Sequence, residues 1–563
     1  MKKTIFALAA LAALAMGCVK EQQPSDTPAD QDGVTVLKVS VAPTKVAVNE
    51  TTGACTWQSG DRIAMWFQTA DAGKRVEFTL QTLNDDGTAI FITTDEIPTG
   101  TYTKVRVAHP TGSIKSDGNF GMVTEYDYEE GKVPMYIRAE SDDVTAKESA
   151  IKIEGDIITA LLSQNGAIMK FTLHDVPSYA TGFVVHANRK TDNTGTNFKM
   201  ITRFPCKSGV DKDLVIYSPV PGGTYPLDVY LIDSGNELID GTTKKFNSAT
   251  YKQVQKGDYI IMPEAIDFDS ANLPVRNYVN INGVKFAKGN LQYVKGAGQT
   301  GFQDGWRIAP AQWHHLNYKL KQSTISGNTN SYEGNRVNIA TTNSVDAFEH
   351  FNMGGIGANS RLLEEFITPN STSLIELSGK IYSDANAVNE VTSDSRFTST
   401  GTLYGDLAYW ASKGTWRLPT ASEMSYLNVG RHKYSAYYMT SDGYKVWGFF
   451  YYPIVTEERI MGDLQKQIND EDLEYGVFLP YAGRRAEANE STIIHITNQG
   501  SYRTGTYVLS KKVNNVLKYY SAYYHHKVGS AHLYDDKTSG TQLLEDTMSH
   551  ITGFCIRPVL VEE

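Results

Sequence analysis

The sequence predicts a mainly β protein of several domains. Three observations predict it. A length of 563 residues exceeds what one hydrophobic core organises, so about three or four domains are expected. The aromatic fraction is 11% and is dominated by 33 tyrosines beside abundant Thr, Gly and Asn, a mix that suits strands and turns better than helices. Short apolar or alternating runs recur between turn signals along most of the chain. Hydrophobic residues at 41% and charged residues at 21% are ordinary for a globular protein. The net charge of -10, with Lys and Arg scattered, argues against a nucleic-acid partner and against a polybasic lipid-binding patch.

The chain opens with Met1-Lys2-Lys3, an apolar run from Ile5 to Met16, and Gly17-Cys18. A charged start, a short apolar stretch and a small residue before the cut describe a secretory signal peptide over residues 1–17. The stretch is too short to span a bilayer as a helix. Ala15-Met16-Gly17-Cys18 resembles the lipobox at which bacterial lipoproteins are diacylated and cleaved, with Ala where Leu or Val is commoner. The resemblance implies an exported chain that starts at a lipidated Cys18 and is tethered to a membrane. The plainer alternative is an ordinary signal peptide with a chance Cys. Residues 18–33 are rich in Gln, Pro, Ser and Asp and read as a flexible tether. The other cysteines, Cys55, Cys206 and Cys555, fall in three different predicted domains, so no disulfide framework is expected despite export. No Cys/His spacing fits a structural zinc site.

Residues 34–158 read as β. Val36-Leu37-Lys38-Val39-Ser40-Val41 is a strand, and Trp57-x-Ser59-Gly60-Asp61-x-Ile63 leads into the apolar run Ile63–Phe67. In this motif Trp57 suits a core, Gly60 permits a turn, and Asp61 can accept from turn amides. Trp57, Gly60, Asp61 and Ile63 resemble the W-x-(S/E)-G-D-x-I signature at the start of fimbrillin-type proteins, subunits of type V pili. Residues 159–267 continue with Ala167–Leu173, a Val176-Pro177 step, Gly182–Val185, Val215–Tyr217, Asp228–Ile232 and a closing Lys256-Gly257-Asp258-Tyr259 strand, all similar to second fimbrillin domains. The resemblance implies two transthyretin-like β-sandwiches over about residues 34–267.

Residues 268–275 form a link. From residue 276 the character changes. Asn282-Gly283 is a two-residue hairpin turn. Thr420 with Glu423 makes a capping box opening a short helix, Ala421–Asn428. The ordered set Trp416-Arg417-Leu418-Pro419-Thr420, Val477-Phe478-Leu479-Pro480 and Gly553-Phe554-Cys555-Ile556-Arg557-Pro558-Val559 resembles an α+β C-type lectin-like fold, in the branch shared with sulfatase-modifying factors. That resemblance covers residues 276–563.

Relatives of the sulfatase-modifying branch use reactive cysteines, but Cys555 is alone in this domain and sits in an apolar run, where a Cys is an inert core residue. No HExxH, Gly-x-Ser-x-Gly or phosphate-binding Gly loop appears. The sequence therefore predicts no enzyme, no cofactor and no metal. The usual calcium-lectin tripeptides are missing, and the acidic residues of Asn469–Asp472 and Tyr534–Asp536 read as solvated loops. His314-His315 and His525-His526 are adjacent pairs that point apart on a strand, so neither chelates one ion easily. Tyr434-Ser435-Ala436-Tyr437-Tyr438 recurs as Tyr520-Ser521-Ala522-Tyr523-Tyr524, with Trp447 to Tyr452 between them. Tyr437, Trp447, Tyr451 and Tyr523 are read either as sheet core with cross-strand pairs or as an outward platform for a ligand.

The function expected from these resemblances is cell-surface adhesion by a fimbrial tip or accessory subunit. Pilins of this type assemble by strand exchange: a first strand leaves and a neighbour's C-terminal strand fills the groove. Here the C-terminal strand belongs to the lectin-like domain, which implies a cap. Partners are then other pilin subunits, a glycan or surface protein ligand, and the membrane through its lipid. Oral relatives are matured by Arg-specific cleavage, yet no Arg precedes Arg62, and Lys45 and Lys38 are the nearest basic candidates. The alternatives are a surface glycan-binding lipoprotein outside any pilus and an enzyme on the C-terminal fold.

Overall fold

The computed structural model describes residues 35–41, 57, 59–85, 87–121, 123–130, 133–134, 136–187, 198–205, 213–223, 225–247, 254–255, 258–320, 335–338, 346–352, 354–357, 360, 375–383, 403–427, 433–453, 461–485, 492–497, 499–513, 516–527 and 553–562. Cys18, Cys55, Cys206, the tether and Tyr534–Asp536 lie outside them. The described part is mainly β with a few short helices, as the composition predicts. No helix among the described residues is long and apolar enough to cross a membrane.

Two compact units divide it. The first comprises residues up to 123 and 135–165, and the second comprises 124–134 and everything from 166. Unit one holds β1 (Thr35–Val41), β2 (Arg62–Thr69), β3 (Gly73–Leu83), β4 (Ala89–Thr93) and β5 (Tyr102–His109). Between β5 and the rest of the unit, the chain contributes β6 (Glu125–Asp127) to unit two. Unit one is completed by β7 (Ile137–Ser141), β8 (Ile151–Glu154) and β9 (Ile157–Gln164). The resemblance implies separate sheets here, but the pairing gives one sheet in the order β1-β4-β3-β2-β5-β7-β9-β8. It closes on itself because β1 also pairs parallel with β9, from Val36 opposite Ile157 to Val41 opposite Leu162. β9 can do this because β7 uses only its last two residues and β8 its first four. β9 also runs across the division expected at residues 158 and 159, so the unit continues to Asn165. Alternate residues of β1, Leu37 and Val39, are fully buried, which fixes its register.

The motif residues sit at the entry to β2. Trp57 is buried, edge-on to Phe91 at 4.9 Å and to His109 at 5.1 Å. Gly60 has a φ of 92°, which a residue with a Cβ adopts only under strain. Asp61 accepts from the Leu80 amide through its carbonyl, and Ile63 is fully buried.

Unit two begins with two sheets. β10 (Ala167–His174) pairs with β13 (Leu214–Val220), β16 (Tyr259–Ile261) and β17 (Ile266–Asp267). The second sheet has the order β15 (Lys244–Phe246), β14 (Leu227–Ile232), β11 (Gly182–Ala187), β12 (Phe198–Arg203) and then β6. Phe171 of β10 meets Phe183 of β11 at 5.1 Å, one from each sheet. β6 adds to the edge of β12 in parallel, and Arg203 pairs with Glu125 at 2.7 Å.

The link at 268–275 is pinned: Asp175 accepts from the Ser270 amide and hydroxyl at 2.5 and 2.7 Å. After it, β18 (Tyr278–Ile281) and β19 (Val284–Ala287) form the expected hairpin, with Asn282 and Gly283 at φ 51° and 95°. This hairpin is locked to the β14–β15 turn. Asp233, 1% exposed, accepts from Arg276, from Asn280 Nδ2 at 3.2 Å, and from the Gly235 and Glu237 amides at 2.9 and 3.1 Å. Ser234 donates to Asn280 O at 2.7 Å, and Lys285 pairs with Glu237 at 2.9 Å. A Cβ on Gly235 would come within 2.4 Å of Asn280 Nδ2, so the approach needs glycine.

The remainder is built from sheets of two to four strands, the longest pair being Gln499–Val513 with Val516–Lys527, around three apolar clusters. α1 (Leu407–Ala411) is capped by Asp406, and α2 (Ala421–Tyr426) has the full capping box of Thr420 and Glu423, ending two residues before the expected Asn428. α3 (Asp472–Tyr475) lies on the stretch read as a solvated acidic loop. Asp472 is 4% exposed and instead closes that turn, accepting from the Asn469 amide and the Tyr475 hydroxyl.

Removing the Asp233 carboxylate strands a mostly buried guanidinium. Asp233→Ala is expected to cost unit two about 3–5 kcal/mol, measured by chemical denaturation. Arg276→Met together with Asp233→Leu should recover only part of that loss, because the Gly235 and Glu237 amides still lose their acceptor.

Candidate functional site

The C-terminal segment is woven through the module. Val559–Leu560 lies between β19 and Trp416–Arg417, as an inner strand of a four-stranded sheet. Before it, Phe554 exchanges two backbone bonds with Phe351 at 2.8 and 3.0 Å, and Gly553 exchanges two with Arg485. Arg557 is fully buried. Its guanidinium donates to Asn290 Oδ1 at 2.9 Å, Ala287 O at 3.2 Å, Gln312 Oε1 at 3.0 Å, Gln312 O at 3.1 Å and Phe478 O at 2.9 Å. Burial among neutral acceptors lowers its pKa to about 10, which still leaves it charged at neutral pH. Gln312 extends the clamp by donating to Leu473 O and Gly476 O and accepting from the Phe478 amide. Cys555 is fully buried, and burial pushes its thiol well above the ordinary value, so it sits there as a neutral thiol.

Beside this segment lies a cavity of about 260 Å³, walled by Glu349, His350, Arg485, Phe348, Ile493 and Asn317. Glu349 and His350 follow the two-residue strand Ala347–Phe348, which pairs with Leu291–Val294. Arg485 comes from the strand Arg484–Arg485. Glu349 Oε1 accepts from the Leu316 amide at 2.7 Å and Oε2 from Gln292 Nε2 at 2.8 Å. Gln292 in turn accepts from Arg307 at 3.2 Å. Burial pushes the Glu349 carboxyl up to about 7, against those hydrogen bonds. Burial lowers His350 to about 4 and His315 to about 3, so both imidazoles are neutral. His350 Nε2 contacts Ala482 O at 3.0 Å. The cavity thus combines a carboxyl that holds or releases a proton near neutrality, a neutral imidazole and a guanidinium against an apolar wall. Sequence reading named His314-His315 but missed the adjacent Glu349 and His350 and the distant Arg485, which follow no motif.

The aromatic residues fall into place differently. Trp447 and Tyr451 of the strand Lys445–Tyr451 are 7% and 1% exposed, and Tyr437 packs against the same cluster. The opposite face of that sheet is covered too, by Tyr434, Val446, Phe450 and Phe478, with Tyr438 against them. Adjacent rings do point to opposite faces, but both faces are core, which leaves Trp447 and Tyr451 no outward surface. Tyr523 is a position on the strand Val516–Lys527, opposite Arg503, and its side chain is outside the description. Half-buried rings gather instead around Trp313, stacked with Tyr438 at 5.3 Å and edge-on to Tyr318. His314 lies in that group, while His315 is buried, so the pair is split as adjacent residues should be. Among the described residues no group of His, Cys, Asp and Glu is arranged to hold a metal ion.

No family model matches the chain, and no curated protein does. Three solved structures are among those similar to it. A proposed cell adhesion protein of Bacteroides fragilis is 10% identical, with 40% of this chain and 91% of that one covered and a TM-score of 0.22. The tip fimbrial protein Mfa3 of Porphyromonas gingivalis, truncated at its C-terminus, is 13% identical over 38% and 81%, with a TM-score of 0.19. A proposed cell adhesion protein of Parabacteroides distasonis is 14% identical over 42% and 95%, with a TM-score of 0.19. Values this low transfer no residue role to this chain.

Two substitutions probe the site's physics. Lys offers three donors from one nitrogen where Arg557 spreads five over a plane, so Arg557→Lys is expected to cost about 3 kcal/mol in urea denaturation. Glu349 has a folded pKa above its unfolded value, so its contribution is full below about pH 4.5 and is lost as pH rises through 7. Glu349→Gln lacks that loss. Relative to the parent, its stability should therefore improve by about 2–3 kcal/mol between about pH 5 and about pH 8, read from melting curves.

Proposed function

We propose that this chain is an exported, lipid-anchored surface adhesion subunit of fimbrillin type that ends a fimbrial assembly and presents a lectin-like domain. The observation that carries the reading is the place of Val559–Leu560, hydrogen-bonded on both sides within its own module. A segment paired on both edges cannot be given to a neighbour without breaking two ladders and lifting Arg557 out of its five bonds.

The opposite end of the chain supports an acceptor role. β1 is held by β4 on one side and β9 on the other, with Leu37 and Val39 filling the core. Departure of β1 would uncover an antiparallel edge and a parallel edge lined by apolar pockets. An extended segment with apolar residues at alternate positions restores both ladders, with main-chain bonds giving affinity and pockets giving register. A subunit that accepts a strand and keeps Gly553–Leu560 for its own fold suits a terminal position. Anchoring through Cys18 and surface exposure belong to the same proposal. A buried, neutral Cys555 fits a binding role better than thiol chemistry.

The test is immunogold labelling of the producing cells with antibody to residues 276–563. Gold at one end of each filament, with co-purification of polymeric pilins, is the expected result. Label spaced along the shafts, or no pilin in the purified material, would refute the terminal placement.

A further inference from the structure

We propose that the cavity walled by Glu349, His350 and Arg485 is a binding site for a small organic carboxylate, no larger than a monosaccharide acid. This goes beyond the adhesion reading and does not depend on it. Size sets the first limit: about 260 Å³ lies just below the range of about 300–1,000 Å³ that takes drug-sized ligands.

Charge sets the class. Arg485 is 3% exposed, and its guanidinium presents a planar fork of five N–H donors, so it can serve a protein acceptor and a bound carboxylate together. An ion of opposite sign gains most where water is excluded. Glu349, 1% exposed, decides whether that anion is welcome. Its two hydrogen-bond partners, the Leu316 amide and the Gln292 side-chain amide, are both donors. A proton on this carboxyl therefore finds no acceptor in either, and the cavity that Glu349 lines is where a ligand oxygen can take it. The ligand's remaining atoms meet Phe348, Ile493 and Leu316.

The groups facing Glu349 are Arg307 through Gln292, with His314, His315, His350, Arg485, Tyr502 and Cys555 around it. Arg307 favours the ionised carboxyl, which burial outweighs. The two buried histidines are already neutral above about pH 5, and Tyr502 and Cys555 hold their protons well above neutrality. Glu349 is then the group in this cluster that changes charge near pH 7. An anionic ligand binds the protonated form, so affinity is level below that pH and falls above it.

The experiment is titration calorimetry of the full chain with glucuronate and benzoate, beside their uncharged counterparts glucose and benzyl alcohol, from about pH 5.5 to about pH 8.5. At least one carboxylate should bind saturably and at least about tenfold tighter than its counterpart, weakening by about tenfold per pH unit above 7. Glu349→Gln should abolish that pH dependence, and Arg485→Gln should weaken binding at least about tenfold, with melting curves reporting the fold of each. The profile of the unaltered chain needs no variant. Absence of saturable binding by both carboxylates up to about 20 mM at pH 6 would overturn the proposal. Equal binding of the counterparts, or affinity constant across the pH range, would overturn it as well. None of these readings involves filament assembly.

Discussion

The C-terminal half of this protein depends on one buried cation. Arg557 carries its charge into a fully buried site and satisfies it with neutral oxygens. Taking a guanidinium out of water costs several kcal/mol before any bond is made, so the arrangement holds only if all the acceptors are in place together. They come from separated parts of the chain: Ala287 at the end of a hairpin, Asn290 after it, Gln312 in a loop and Phe478 in a strand. A single charge that requires Ala287–Asn290, Gln312 and Phe478 at once registers these stretches against one another, and it makes Arg557 a structural requirement.

The same logic recurs with the opposite sign at Asp233. A buried carboxylate gathers Arg276, Asn280 and two backbone amides, and so ties the second sheet of unit two to the hairpin that opens the C-terminal module. The link at 268–275 therefore works as a pinned corner, and the two parts of unit two share one clustered body. Two buried charges of opposite sign at successive joints give the corner direction as well as strength. Both centres bind several groups, so neither tolerates a shift of one residue.

What was legible in the sequence was local chemistry. The Asn282-Gly283 turn, the Thr420/Glu423 capping box, the core role of Trp57 and the left-handed Gly60 each depend on residues within about six positions of one another, and each is where the pattern puts it. The resemblance placed Arg557-Pro558-Val559 in a terminal strand, but nothing in that tripeptide indicates five neutral acceptors, since they lie up to 270 residues away. Closure of unit one was hidden because β1 and β9 pair across more than a hundred residues, and parallel pairing leaves no turn signal to read. Trp447 and Tyr451 lie in the core for a physical reason: alternation says which rings share a face, and says nothing of whether that face is solvated. Here both faces of the sheet are covered. Glu349, His350 and Arg485 carry no motif because a cavity is a property of packing.

These features converge on the segment from Gly553 to Leu560. Its first residues hold two walls of the cavity, since Gly553 is zipped to Arg485 and Phe554 to Phe351, next to His350. A Cβ at Gly553 would press within 2.9 Å of the Arg485 side chain, so this approach also needs glycine. Its middle carries Cys555 and Arg557 into the core, and its end completes a sheet. Donation of this segment to another subunit would open the cavity, free the guanidinium and split a sheet in one step. In this chain the segment Gly553–Leu560 and the cavity wall are one construction, so giving up that segment and keeping the cavity intact exclude each other.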